Sequence, residues 1–335
     1  MALGTSPANA LAAAERIFLG RYVIDAPLPW NGLAFMFRAV EPGRVVAVAA
    51  LPGDVSEDAQ AAKRFRRRAA ELAELRHPAL LPITEAGVEQ GVPYLEMEFA
   101  DGRPLQDVVD EEGPLGRERA FRIADAVLDL LEVAHDARWL HWDLTPANVL
   151  LVPDPAGERV VVLGLGFRAL LPGKPRPGGS GPLADRFVAP EVAAGRGDGR
   201  SDLYSVGALL YFMVTGARPP RPNGGARRAG WARPVVERAL AGRSVDRFAD
   251  ARSMRATLRK AYEGQTVPVP RRRMRSGPLL WVAAGALCLA VGGGSALLWM
   301  RLGQNPTSAR THTLASQHPS ERSEPGAERS EGPRG

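Results

Sequence analysis

His141-Trp142-Asp143-Leu144-Thr145-Pro146-Ala147-Asn148 runs directly into the apolar stretch Val149-Leu150-Leu151-Val152. A closely spaced acid and amide, placed ahead of a strand-like run, can face one pocket from one tight loop. An aspartate in such a place also serves as a plain loop residue or a helix cap, and the pattern alone occurs by chance. Its surroundings give it weight. A helical stretch over 116–138 precedes it, with Phe121, Ile123, Ala124, Val127, Leu128, Leu131 and Val133 reading as the stripe of a buried helix. Arg159-Val160-Val161-Val162-Leu163 follows as a further strand and ends at Gly164-Leu165-Gly166.

The totals bound the function classes. The chain has 335 residues, enough for one or two domains and a sizeable core. Its net charge of +6 comes from arginine, since the lysines are Lys63, Lys174 and Lys260 alone. The arginines are scattered and lack interleaved aromatics, which argues for a generally basic surface and against nucleic-acid binding. The single Cys288 excludes an internal disulfide framework and a cysteine-based zinc site. The first apolar patch, 10–19, is broken by Glu15 and Arg16 and does not read as a signal peptide.

Taken in order, these motifs resemble the bacterial Hanks-type serine/threonine protein kinase family. Its catalytic loop is H-R-D-L-x-x-x-N, in which the Asp receives the proton of the substrate hydroxyl and the Asn holds a metal ion. Asp143 and Asn148 match those positions. Ala189-Pro190-Glu191 matches the A-P-E motif. Asp202 falls where the family has the acid that braces the catalytic loop. Arg247 falls where it has the arginine that pairs with the A-P-E glutamate. The resemblance covers about 21–262 and implies an α+β, two-lobed protein kinase fold, with a small β-rich N-lobe and a large helical C-lobe. It implies an adenine pocket built from Ala47, Met97, Glu98, Ala100 and Leu150. It also leads us to expect strands at 34–40, 45–51, 80–86 and 93–99, helices at 56–76 and 104–111, and an apolar helix that Asp202 begins and that ends at Thr215.

The departures concentrate on chemistry. The family's glycine loop falls on Pro29-Trp30-Asn31-Gly32-Leu33-Ala34, where Gly32 alone remains, off the motif positions. The lysine that pairs the α- and β-phosphates falls on Ala49, and its glutamate partner on Arg68. Lys63 and Arg38 are the candidates to replace that cation. The Arg of the catalytic loop is Trp142, and the Lys that usually follows its Leu is Thr145. The Asp of the metal-binding D-F-G triplet falls on Gly164. A hard cation needs carboxylate or phosphate oxygen, so Mg²⁺ is not expected, no metal ligand set is assigned, and ATP is left open. The Pro/Gly-rich segment 168–188 takes the place of the activation loop, with Ser180 as its hydroxyl. Between Gly216 and Trp231 a helix of the family reads as deleted.

Residues 1–20 read as a lead-in, 21–262 as the kinase-like domain, and 263–277 as a basic linker ending in Arg271-Arg272-Arg273-Met274-Arg275. Residues 278–300 carry no charge. At about 1.5 Å per residue they reach roughly 34 Å, enough to cross a hydrocarbon core of about 30 Å. Trp281 and Trp299 flank this transmembrane helix, and the arginines set its N-terminal side in the cytoplasm. The expectation is a single-pass protein of the bacterial inner (plasma) membrane, with the disordered tail 301–335 outside. Ala284, Cys288, Gly292 and Ala296 form a small-residue face suited to homodimerisation. Three readings follow. One is a pseudokinase that acts on protein partners, such as an active kinase or its substrate. The others are an atypical active serine/threonine kinase and a metal-independent ATP-binding switch.

Overall fold

The computed structural model describes residues 21–28, 34–51, 58–155, 157–170 and 186–268. All lie within the first of two compact units, Met1–Arg271. The expected transmembrane segment 278–300, its small-residue face, the tail and most of the glycine-loop positions lie outside the described residues. Among the described residues no helix is long and apolar enough to cross a membrane.

The N-lobe is an antiparallel sheet of β1 (Val23–Pro27), β2 (Phe35–Glu41), β3 (Arg44–Ala50), β4 (Ile83–Glu89) and β5 (Val92–Glu98), in the order β1-β2-β3-β5-β4. Alternation along each strand sorts its residues into two faces. Met36, Ala47, Ala49, Leu95 and Met97 face the main core, while Phe37, Val46, Val48, Ala50 and Tyr94 build a second cluster on the other side. Glu96 shares that second side and is fully buried. Tyr22 donates to it at 2.6 Å, Thr84 also donates, and Arg44 pairs with it at 2.6 Å. Burial pushes its carboxyl up, but these hydrogen bonds and the Arg44 charge outweigh that and hold it below the usual carboxylate range.

Helix α1 (Ala59–Ala73) crosses this sheet. Asp58 caps it, accepting from the Ala61 amide at 2.8 Å, and Ala61, Ala62, Phe65, Ala69 and Leu72 form its buried stripe. The expected helix over 56–76 is therefore shorter, because the capping carboxylate sets its start. The strand expected from Leu80 begins at Ile83. Leu80 donates to the His77 carbonyl in a turn, and Pro82 has no amide for a ladder.

The C-lobe is built on α3 (Arg117–Asp136), after β6 (Arg103–Pro104) and α2 (Leu105–Glu112). Two expected members of the α3 stripe differ. Val133 is 40% exposed. Phe121 is half-buried at the edge of the core, where it stacks on Tyr262 of the last helix at 4.1 Å. The catalytic loop leads into β7 (Val149–Asp154), which pairs with β6 and β8 (Gly157–Val162). After Gly166 comes a single helical turn, α4 (Phe167–Leu170), where loop was expected from 168.

Helix α5 (Pro190–Ala193) precedes α6 (Gly199–Thr215). Asp202 does not begin α6. Asp198 caps it in a reciprocal pair with Ser201, which leaves the Asp202 carboxylate turned toward the catalytic loop. A short helical turn at Arg227–Ala232, α7 (Arg233–Ala239) and α8 (Ala251–Tyr262) complete the lobe. The sequence analysis did not single out α8. It docks on α3 through Arg255, which reaches Asp125 with both Nε and Nη2 at 2.9 Å.

Candidate functional site

The loop before β7 is held by hydrogen bonds from three directions. Asp202 accepts from the His141 amide at 2.9 Å and the Trp142 amide at 2.7 Å, and bonds His135 Nε2 at 2.9 Å. Trp142 adopts φ +58°, a left-handed conformation that costs a non-glycine residue on the order of 1 kcal/mol. His141 Nε2 donates to the Leu163 carbonyl at 3.0 Å, and the Leu163 amide donates to the Asn148 carbonyl at 2.8 Å. Burial pushes the His141 imidazole down, so it is neutral and acts as a strut. Asn148 Nδ2 donates to the Asp143 carbonyl at 2.6 Å, closing the loop on itself. Asp143 and Asn148 are thus brought together, and both are fully buried.

The structural acids are engaged likewise. Arg247 Nη2 donates to Glu191 Oε2 at 3.0 Å, its Nη1 pairs with Oε1, and Ser201 donates to Oε1 at 2.7 Å. The Arg247 side chain has 0% exposure. Burial raises the Glu191 carboxyl, yet Arg247 and Ser201 together hold it below its ordinary range.

Of the residues expected to line an adenine pocket, Ala47 lies on β3, Met97 and Glu98 on β5, and Leu150 on β7. Ala47, Met97 and Leu150 are buried in the common core, with Ala100 partly buried against it. Ala47 and Met97 sit opposite each other in the β3–β5 ladder. Glu98 exposes its side chain and donates its amide to the Pro82 carbonyl at 3.1 Å. The positions expected to carry the phosphate cation and its partner are different. Ala49 is fully buried between Met36 and Leu95 on adjacent strands. Arg68 lies over the Trp139 ring at 4.2 Å and donates to Glu71 at 2.7 Å. Lys63 is exposed on α1. Arg38 faces the inner side of the sheet, pairs with Asp25 and lies 5.5 Å over the Phe99 ring.

A family model described as a protein kinase domain matches residues 31–236. The chain belongs to the protein kinase domain family. It is 30% identical to the serine/threonine-protein kinase PknB of Mycolicibacterium smegmatis over 278 residues, 75% of this chain and 44% of that one. It is 34% identical to a probable serine/threonine-protein kinase of Corynebacterium efficiens over 213 residues, 61% of this chain and 32% of the relative. This kinase-family chain therefore spans less than half the length of the curated relatives it matches. It is similar in fold to the crystal structure of the Mycobacterium tuberculosis PknI kinase domain. That likeness has a TM-score of 0.57 and 24% identity, and covers 72% of this chain and 96% of that one.

Kinase domains use Mg²⁺ on the nucleotide phosphates, so the donor set here can be tested against that ion. Gly164 offers no side-chain oxygen. Asn148 Oδ1 is a buried amide oxygen with no hydrogen-bond partner among the described residues. Asp143 is the remaining carboxylate of the loop and is fully buried, and Arg168 after the Gly164-Leu165-Gly166 triplet is buried as well. No group of three His, Cys, Asp or Glu residues among those described could hold a metal. One neutral oxygen beside a single carboxylate, with glycine at 164, does not fit Mg²⁺, which takes hard oxygen donors in octahedral array. Sequence reasoning missed Arg168 because it follows a degenerate triplet and belongs to no motif. Its one signal was a lone cation next to apolar residues in a segment read as loop.

Proposed function

We propose that this protein is a pseudokinase: a membrane-tethered kinase-fold module that acts by binding protein partners. The observation that carries this reading is the re-use of the lysine–glutamate pair. Ala49 is a buried apolar residue, and the helix position opposite carries Arg68, committed to Trp139 and Glu71. Phosphoryl transfer rests on positioning and charge stabilisation. Losing one pre-organised stabilising group costs roughly 10²–10³ in rate, and here the phosphate lysine, its glutamate and the metal aspartate are all replaced. The scaffold contacts of Glu191, Asp202 and Arg247 are kept, as a docking module requires. Its partner is a protein of the same signalling chemistry, an active kinase or a kinase substrate. The segment 278–300 anchors it in the inner membrane with the kinase fold in the cytoplasm, and Gly292 lies on its homodimer face. Gly292→Ile abolishes self-association in a membrane two-hybrid assay, and unchanged association rejects that face.

A second reading has one observation in its favour. Ala47, Met97 and Leu150 are apolar residues of a type that packs against an adenine ring. The deciding experiment is calorimetric titration of ATP into the full-length chain in detergent, with Mg²⁺ and then with a chelator. The pseudokinase reading expects no Mg²⁺-dependent binding and no phosphate on any added protein. Binding indifferent to Mg²⁺ moves the assignment to an ATP-binding switch. Mg²⁺-dependent binding with phosphate transfer restores an active serine/threonine kinase.

A further inference from the structure

The stretch from the end of α6 to the end of α7 is rich in one charge. Residues 216–243 hold seven arginines against a single acid, Glu237, a net +6 that equals the charge of the whole chain. Hydrogen bonds fold this run onto α7. The Asn223 amide donates to the Leu240 carbonyl at 3.1 Å, the Gly242 amide to Asn223 Oδ1 at 2.9 Å, and the Ala226 amide to Glu237 Oε1 at 3.2 Å. Ala226, Ala229 and Ala232 are its buried side, while Arg218, Arg221, Arg227 and Arg228 are exposed. The acid is already taken up, by Arg233 at 2.9 Å. Arg238 lies over the Phe248 ring at 4.4 Å, and Arg243 meets Asp246 at 3.9 Å. The four exposed arginines meet no acid among the described residues. On α8, by contrast, Arg252, Arg255 and Arg259 each meet a carboxylate of α3. The four free charges also stand beside the end of the domain. Trp231 meets Tyr262 edge-on at 6.1 Å, and the Arg117 guanidinium lies 5.4 and 5.5 Å from those two rings. The turn that carries Arg227 and Arg228 is thereby fixed to the last turn of α8, after which the sequence passes to Arg271-Arg272-Arg273 and the uncharged run 278–300.

We propose that Arg218, Arg221, Arg227 and Arg228 form a docking surface for the anionic headgroups of the inner leaflet. This rests on the reading that 278–300 anchors the chain in the membrane. The linker 263–277 then reaches at most about 50 Å even fully extended, so the arginines never leave the neighbourhood of the bilayer. A guanidinium pairs with phosphate oxygens through two parallel N–H bonds, and a fluid leaflet brings its phosphates to the arginines wherever they stand. Each arginine at such a surface shifts the ratio of docked to free domain about fivefold. The exposed positions of 216–243 are arginine, glycine and asparagine alone. They supply charge and hydrogen bonds without the aromatic or aliphatic anchor that a folded protein partner grips, and that favours lipid as the occupant.

The test is hydrogen exchange on the full-length chain in nanodiscs of phosphatidylcholine, alone or with about one-third phosphatidylglycerol. Amides of 218–231 exchange about tenfold more slowly on the anionic discs, while those of β4 and β5 exchange alike on both. About 0.5 M NaCl, which cuts the range of the attraction to about 4 Å, removes the difference. Replacing all four arginines by glutamine (Arg218→Gln, Arg221→Gln, Arg227→Gln and Arg228→Gln) removes it as well. None of the four leaves an ion-pair partner stranded, so this variant melts within about 2 °C of wild type. The lipid and salt comparisons on wild type decide the matter even if it does not fold. Equal exchange on the two discs overturns the docking and leaves the anchor intact, and so does a glutamine variant that is still protected. Protection absent on anionic discs but produced by an added acidic phosphopeptide assigns the arginines to a protein partner and overturns it too. A chain that enters neither disc ends the anchor reading and the docking with it, so the two failures are distinguishable.

Discussion

Asp202→Ala lowers the stability of the kinase-fold domain by about 4 kcal/mol. The carboxylate is fully buried and is the acceptor for the His141 and Trp142 amides and for His135. An orphaned buried donor costs about 1–3 kcal/mol, and alanine strands two amides at once. Trp142 would also keep its left-handed backbone without the bond that compensates it. In a domain of this size that loss is a drop of roughly 10 °C in the midpoint. Asp202→Asn keeps an acceptor but sets an NH₂ group against one amide, and falls between wild type and alanine. Thermal unfolding checks both, and an alanine variant melting within about 2 °C of wild type would reject the brace. The effect is one of loop geometry and does not depend on phosphate transfer.

Glu191→Gln has the second large effect, and its sign with pH is specific. The Arg247 side chain is wholly buried and its guanidinium meets Glu191 with Nη1 and Nη2. Removing one partner of a buried pair costs about 3–5 kcal/mol, because the other charge stays buried without compensation. Glutamine retains one acceptor oxygen, so the lower end of that range applies. Arg247→Met costs less, since the Glu191 carboxyl is partly exposed and can bind water or a proton. The Glu191 carboxyl titrates below its unfolded value of about 4.3 in the folded chain. Its stabilisation is therefore fully present above that pH and is lost as the pH falls through the folded value. Wild type loses stability on acidification, and Glu191→Gln loses less over the same window. Midpoints measured at neutral pH and near pH 4 give the comparison, and equal acid losses in the two proteins would reject the assignment.

The residues of the catalytic loop and the A-P-E glutamate were legible from the chain because their signals are local. Spacing along a loop, a proline at a helix start and the period of a buried helix are set by covalent geometry and backbone hydrogen bonding, and they survive wherever the chain goes. The alternation of β2, β3 and β5 and the stripe of α1 belong to the same class. The absence of a lysine at Ala49, a glutamate at Arg68 and a carboxylate at Gly164 was likewise written in residue identity. What replaced them was not. Arg68 turns to Trp139 because folding brings together residues far apart in sequence, and a cation takes whatever partner packing offers. Local pattern also misplaced Val133 and the start of α6, since which face of a helix is covered, and which acid caps it, depends on what docks there. The sequence by itself determined the scaffold and which chemical groups are missing. Only the tertiary structure decided where the remaining charges go, because electrostatic pairing in a desolvated interior depends on distance in space and not on distance along the chain.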